Sequence, residues 1–225
     1  MFDDSDPFVI EIFDLGERVQ RVIKTDIARA FVDLNRSTQD LPPQNTDGLI
    51  KSATCYQKPI YYKGSEPDES LTSILIKSYY YPYHRSIQKS FKELDLQLCL
   101  DCHSMASIAP NVSPDGNNSK RPLFCISNRD GQTSSREMIN LLADCVSESF
   151  LIDRQEISLN EPFHGGYITK TYGNNPIPWI QIEMNRSLYL AEPWFDKERL
   201  SIEKTQLQRL NRQFENCLEI FFSRI

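Results

Sequence analysis

The sequence predicts an α/β fold, with a sheet covered by helices on both faces. Three observations carry this. Stretches of strand character alternate with stretches of helical period. The strand stretches are near-continuous apolar runs, as in strands buried on both sides. The 225 residues suffice for one sizeable domain with a full core.

Asp6-Pro7 reads as an N-cap followed by proline at the first helical position. Val9, Ile12, Phe13, Val19 and Ile23 then recur at helical spacing, so a helix is expected over residues 7–23. IARAFVDLNR, residues 27–36, reads as a strand ending in polar residues. Residues 37–68 hold Pro42-Pro43, Asp47-Gly48 and Gly64 and read as a long loop, a feature that in a compact domain is usually functional or disordered. Residues 69–93 are helical in pattern, with a break expected at Pro82. Leu94, Leu96, Leu98 and Leu100 alternate with Asp95, Gln97, Cys99 and Asp101, which is the period of a strand.

APNVSPDGNNSKRP, residues 109–122, is rich in turn formers and is expected to be exposed. PLFCISNRDG reads as a short apolar strand running into a polar turn. Ser134 and Glu137 form a capping-box pattern ahead of Met138, Leu141, Leu142, Cys145 and Val146. GGYITKTYG, residues 165–173, is β-prone and bounded by glycines, and IPWIQIEMN, residues 177–185, is a further apolar strand. Asp196 is placed to cap a last long helix carrying Leu200, Leu207, Leu210, Phe214, Leu218 and Phe221. There is no internal repeat and no linker, so residues 1–225 read as a single domain.

A net charge of −6 without any Lys/Arg cluster argues against nucleic-acid binding. No run of about 18 apolar residues exists, so no membrane span is expected. The acidic opening MFDDSDPF lacks the features of a secretory signal. A cytoplasmic protein is therefore expected, with its six cysteines as free thiols.

LQLCLDCHSMA contains C-x-x-C-H, the pattern of a c-type haem attachment site. In an extended strand Cys99 and Cys102 differ by an odd number of positions and point to opposite faces. They cannot then serve one haem or one metal. No second Cys/His pair follows at zinc-knuckle spacing. Asp101 and His103, two apart, do share a face.

Several residues carry chemistry. His103 is either a strand-end histidine tied by hydrogen bonds or a metal ligand oriented by Asp101. Glu183 sits in an apolar run, where a lone carboxylate is costly. It is either ion-paired, for instance with Arg186, or a general base of raised pKa. Arg29, Asn35 and Arg36 can grip a carboxylate or fix a loop. Tyr167 and Thr169 can reach a ligand or be ordinary strand residues. In open α/β sheets chemistry collects beyond the carboxyl ends of the strands. Asn35-Arg36, Asp101/His103 and Glu183 are expected to meet there.

Together, RAFVDLNRS, YYPYH, CLDCHSM, CISNRDG, PFHGGYITKTYG and IPWIQIEMNRSLYLAEP resemble the N-formylglutamate amidohydrolase (N-formylglutamate deformylase) family. The likeness runs in order from about residue 7 to the last helix. It implies a fold similar to that of zinc carboxypeptidases and aspartoacylase, a phosphorylase/hydrolase-like three-layer α/β/α arrangement with a mixed central sheet. It implies a zinc-activated water that attacks N-formyl-L-glutamate or a related small acidic N-acyl amino acid. By position, His103 matches a zinc ligand. Glu183 matches the group that takes the water's proton, and Arg29 matches the arginine that polarises the scissile carbonyl. Asn35 and Arg36 match the pair that binds the substrate carboxylate, and Tyr167 and Thr169 are further substrate-binding candidates.

The sequence also departs from the family. Members begin with a strand ending in a P-H-S-G-like motif, which completes the zinc site. This chain shows no such motif and reads as N-terminally short. None of His84, His103 and His164 starts an H-x-x-E. Asp3, Asp4 and Asp6 are the candidates to replace the missing acidic ligand, and His164 stands where the family has Lys or Arg. One histidine cannot hold a catalytic zinc with three protein ligands. Two readings follow: a zinc-dependent amide hydrolase, or a non-catalytic relative that keeps the carboxylate clamp. A missing strand would also bare a sheet edge, which favours a homo-oligomer.

Overall fold

The computed structural model describes residues 5–110, 113, 115–116 and 118–225, so Asp3 and Asp4 lie outside the described residues. Among these, the helices are α1 (Val9–Phe13), α2 (Glu69–Leu75), α3 (Tyr81–Glu93), α4 (Arg136–Phe150), α5 (Tyr167–Tyr172) and α6 (Lys204–Arg224). The main sheet holds β1 (Cys99–Met105), β2 (Phe124–Ser127), β3 (Ile157–Leu159) and β4 (Trp179–Asn185), in the order β1-β4-β2-β3. β4 runs parallel to β1 and antiparallel to β2, and β3 is parallel to β2, so the sheet is mixed.

The alternation along β4 decides how the layers stack. All seven of its residues are buried, but its two faces differ in kind. Ile180, Ile182 and Met184 join the main core with Leu142 and Val146 of α4, Leu210 and Phe214 of α6, and Ile12 of α1. The other face carries Trp179, which packs with Ile87 of α3 and Ile168 and Tyr172 of α5. Gln181 and Glu183 follow Trp179 at period two and share its face. Asp101 stands opposite Gln181 in the register of β1, and His103 stands opposite Glu183. One face of the sheet is thus apolar and the other bears a buried polar stripe.

Cys99 packs with the Trp179 group and Cys102 with the main core, so the two thiols do lie on opposite faces. All six cysteines are free. Among the described residues no helix is long and apolar enough to cross a membrane.

Several segments differ from the sequence expectation. The helix expected over residues 7–23 is reduced to α1 and one 3-10 turn, Gly16–Arg18. Gly16 takes a φ of 57°, a left-handed conformation, and Asp14 accepts its N–H at 2.8 Å, which stops the helix. Asp6 is not the cap, because Phe8 holds the N-cap position with no side-chain bond. Residues 27–36 form turns rather than a strand. Phe31 N–H and Val32 N–H both donate to Ala28 O, and Val32 and Leu34 are buried against Leu49, Ile50 and Tyr80. GGYITKTYG forms α5 rather than a strand. Its β-branched residues are held helical by a tertiary contact, since Ile168 N–H donates to Asn35 Oδ1 at 2.8 Å.

The interruption near Pro82 is a π-helical turn over Ile76–Tyr80, and the proline occupies the first turn of α3, where its missing N–H costs nothing. β1 begins at Cys99, so Leu94, Leu96 and Leu98 precede it. Ser135, not Ser134, caps α4 by accepting from Met138 N–H at 3.1 Å. Arg121 is buried at 5% exposure, so the turn-rich stretch over residues 109–122 is not uniformly exposed. Asp196 does not cap α6, whose N-cap is Glu203. It lies in a two-residue strand, β5 (Phe195–Asp196), paired with β6 (Ser201–Ile202), and accepts from Glu198 and Arg199 N–H.

Candidate functional site

The polar stripe becomes a site through what lies over it. Gln181 Nε2 donates to Glu183 Oε1 at 2.9 Å, and Gln181 Oε1 accepts Gly166 N–H at 2.6 Å. Thr169 Oγ1 donates to Asp101 Oδ2 at 2.8 Å. Asn35 reaches the same place from the turn segment. Its Oδ1 holds Ile168 N–H, and its Nδ2 lies 3.1 Å from His103 Nε2. The chain passes this point closely. A Cβ on Gly166 would stand 2.9 Å from Asn35 Cγ and closer still to its amide nitrogen and oxygen. Gly166→Ala is therefore expected to expel Asn35 from its bond to Ile168 N–H. A thermal melt should register a loss of about 2–3 kcal/mol; a melt within 1 °C of the parent would refute the contact.

His103 sits between two carboxylates. Asp101 Oδ1 lies 2.8 Å from Nε2 and Asp6 Oδ2 lies 3.3 Å from Nδ1. Asp6 also accepts from Ser104 N–H at 2.9 Å and Ser104 Oγ at 3.0 Å. Arg186 reaches across to Ser104 Oγ and to Ser5 O and stands 3.8 Å from Asp6 Oδ1. Tyr189 Oη donates to Pro7 O at 3.0 Å and fixes this N-terminal segment. Burial by itself would push the imidazole's pKa down, but the charge and hydrogen bond of Asp101, joined by those of Asp6, raise it well above its ordinary value. Burial pushes Asp6 up in turn, and the hydrogen bond and charge of His103, with Arg29 and Arg186, more than reverse this. The result is an imidazolium held between two carboxylates.

Arg29 Nε donates to Asp33 Oδ2 at 2.7 Å, and its Nη1 lies 3.7 Å from Asp6 Oδ2. The Asp33 charge raises the Arg29 pKa further against burial. Arg36 turns away from His103. Its Nε donates to Asp47 O and its Nη2 to Asp47 Oδ2, and it lies 3.8 Å from Asp33 Oδ2. Tyr167 packs on the ring of His84. His84 is itself spent between Tyr172 Oη and Leu34 O. His164 pairs with Asp130 at 2.6 Å on the surface.

Glu183 is buried beside this cluster. Burial raises its pKa to about 7, against the pull of His103 and Arg29.

The structure thus brings Arg29, Asn35, His103, Thr169 and Glu183 into one network and directs Arg36 and Tyr167 to its flanks. Sequence reasoning missed Gln181 and Asp33, and named Asp6 only as a helix cap and as one of the acidic residues near the absent motif. Gln181 and Asp33 stand inside quoted motifs, and the 2% exposure of Asp33 marks it as structural. Asp6 gave no usable signal, since an aspartate before proline reads equally well as a cap.

The zinc that the family resemblance implies does not fit the residues described. A zinc-bound imidazole must present a lone pair, and both nitrogens of His103 face carboxylate oxygens at hydrogen-bond distance. Among the described residues no group of three or more His, Cys, Asp or Glu side chains is placed to hold a metal ion.

Next to the cluster lies a cavity of about 850 Å³. Asp6, Arg29, Asp33, Asn35 and His103 line one part, and the rest mixes apolar side chains such as Ile23, Phe91 and Leu218 with Arg21, Lys24, Asp95 and Gln97.

The family model described as N-formylglutamate amidohydrolase matches residues 1–190. Among solved structures, the N-formylglutamate amidohydrolase from Ralstonia eutropha JMP134 is similar at a TM-score of 0.67 and 20% identity, over 88% of this chain and 76% of that one. The gene product Atu2144 from Agrobacterium tumefaciens is similar at 0.55 and 15%, over 88% of this chain and 69% of that one. At such identities these two likenesses speak to the fold. They agree with the mixed sheet between helical layers, the carboxypeptidase-like α/β/α arrangement. No curated protein matches the chain.

Proposed function

The chain belongs to the N-formylglutamate amidohydrolase family, and we propose that it is a ligand-binding member that holds an acidic N-acyl amino acid without hydrolysing it. The observation that carries this reading is the double engagement of His103 by Asp6 and Asp101. The histidine that the resemblance makes a zinc ligand is ion-paired on both sides, and the cavity beside it keeps an arginine. In this reading Arg29 meets the ligand's carboxylate, since it lines the cavity with its side chain 31% exposed. Asn35 shapes the same wall. Arg36 works indirectly: it helps hold Asp33, which aims Arg29.

One observation favours the hydrolase reading instead. A buried glutamate titrating near 7 is suited to proton transfer. A single set of measurements separates the two. Elemental analysis of the dialysed protein is expected to give far less than one zinc per chain. Formate release from N-formyl-L-glutamate, with and without added zinc, should stay at background, while calorimetry detects binding of an N-acyl glutamate. Close to one zinc per chain together with formate release would establish the hydrolase and end the binding-only reading.

A further inference from the structure

We propose that the free edge of β1 accepts one extended strand of another polypeptide, about five residues long, uncharged and with bulky apolar side chains at alternate positions. This goes beyond the ligand-binding reading, which concerns the Arg29 end of the cavity and does not depend on it. The sheet order places β1 and β3 at the two edges. β3 has three residues, short enough to be a harmless edge, but β1 has seven. Cys99 N–H donates to Pro178 O at 2.9 Å, on the β4 side. In a parallel ladder alternate residues point the same way. The backbone groups of Cys99, Asp101 and His103 therefore face β4, and those of Leu100, Cys102 and Ser104 face outward. Asp6 Oδ1 takes the Ser104 N–H at 2.9 Å, and Arg186 Nη2 donates to Ser104 O at 3.3 Å, so that end of the edge is closed. The backbone N–H and C=O groups of Leu100 and Cys102 have no partner among the described residues. From Leu98 to Cys102 the open stretch is five residues.

The cavity is a slot along this edge. Residues of both faces of β1 line it, Cys99, Asp101 and His103 from one and Leu100 and Cys102 from the other, so it straddles the edge rather than covering a face. Residues 18–25 line it too, and residues 20–26 make no backbone–backbone hydrogen bond. Unpaired backbone thus borders the cavity twice, and a ligand with a backbone of its own satisfies such groups. The walls set its side-chain pattern. Leu100 and Cys102 pack on the main core with Phe13 of α1 and Leu218 of α6, so a strand residue facing that way is apolar. On the other side Cys99 packs with Phe91 and Ile87 of α3. There Trp179 lines the cavity at 6% exposure, and its buried indole N–H has no partner, which suits a small acceptor side chain such as threonine. Away from Arg29 the cations lining the cavity already face carboxylates, Arg18 with Glu215, Arg21 with Glu93 and Lys24 with Asp14, and none is spare for an acidic strand. The same walls exclude a second copy of this chain. Its own β1 carries helices on either side and cannot enter the slot, whereas a lone strand can.

The test is residue-resolved amide hydrogen exchange on the full chain, with a blocked peptide of alternating valine and threonine, six residues long, kept monomeric. In the protein alone, Leu100 and Cys102 are expected to exchange at least about tenfold faster than Asp101 and His103, whose N–H groups face β4. The peptide should slow Leu100 and Cys102 about tenfold or more and leave the other two unchanged. Two further peptides carry N-methyl groups on the valine amides or on the threonine amides. At least one of them should bind about tenfold more weakly than the parent, because it loses the backbone bonds to β1. Undiminished binding of both would show that the backbone is not read and would refute the inference. No slowing at Leu100 and Cys102 with peptide up to about 1 mM would refute it as well. If both amides are already slow in a chain that sediments as a monomer, a segment of the chain itself pairs the edge. If they slow only where the chain dimerises, a second copy does. Either result overturns the assignment to another polypeptide. Binding of an N-acyl glutamate is measured separately, so failure of the strand inference leaves the ligand-binding reading standing.

Discussion

His103→Leu is expected to lower the melting temperature by roughly 10 °C, a larger effect than any other single change in the site. The reason is the pair of carboxylates it leaves behind. Asp101 is 7% exposed and the Asp6 side chain 19%, and each faces the imidazole. Removing one partner from such a group strands a charge that burial has already stripped of water, a loss of about 3–5 kcal/mol. For a chain of this size 1 kcal/mol moves the midpoint by about 2–4 °C. The double variant with Asp101→Asn should recover part of the loss, because one of the stranded charges is then gone, and the recovery measures the coupling directly. A histidine awaiting a metal would behave differently: its loss would cost zinc affinity and leave the metal-free protein about as stable as before. A His103→Leu midpoint within 2 °C of the parent would therefore remove the structural role assigned to this residue.

The sequence disclosed the site better than it disclosed the elements that hold it. His103 and Glu183 were legible because both sit at fixed positions in apolar strands, where period two dictates which residues share a face. Their pairing in register, His103 against Glu183, follows from the parallel partnership of β1 and β4, which no local pattern encodes. The helix α5 was illegible for a complementary reason. Tyr-Ile-Thr-Lys-Thr-Tyr prefers a strand on local propensity, and what overrides it is Asn35, 133 residues away, accepting Ile168 N–H. Residues 27–36 misled in the opposite sense. Val32 and Leu34 alternate as in a strand, but they are buried under Leu49 and Tyr80, and among the described residues they join no sheet. Alternation reports burial on one side, and pairing is a separate fact. Asp6 is the plainest case: its partner His103 lies 97 positions away, so nothing local in the sequence distinguishes a cap from an ion-pair partner.

Stability should peak near pH 4–5 and fall on both sides, and Glu183→Gln should remove much of the fall on the alkaline side. The signs follow from three groups. Glu183 has a folded pKa of about 7 against an ordinary 4.5, so between those values the folded protein keeps a proton that the unfolded chain has released. Its contribution therefore declines as pH rises through that window and is fully unfavourable above about 7, by at most about 3 kcal/mol. His103, raised above its ordinary 6.5, adds stability that is complete below that value and is lost as pH climbs through its folded pKa. Asp6, lowered from 3.8, adds stability present above that value and lost as pH falls further. In Glu183→Gln the first effect disappears while Gln181 Nε2 keeps an acceptor at the same place. The variant should thus melt higher than the parent at pH 8, by about 5 °C or more, and close to it at pH 4.5. Parallel melting curves across this range would show that Glu183 is ionised already at pH 5, and its burial would then have to be balanced by His103 and Arg29 far more strongly than their placement implies.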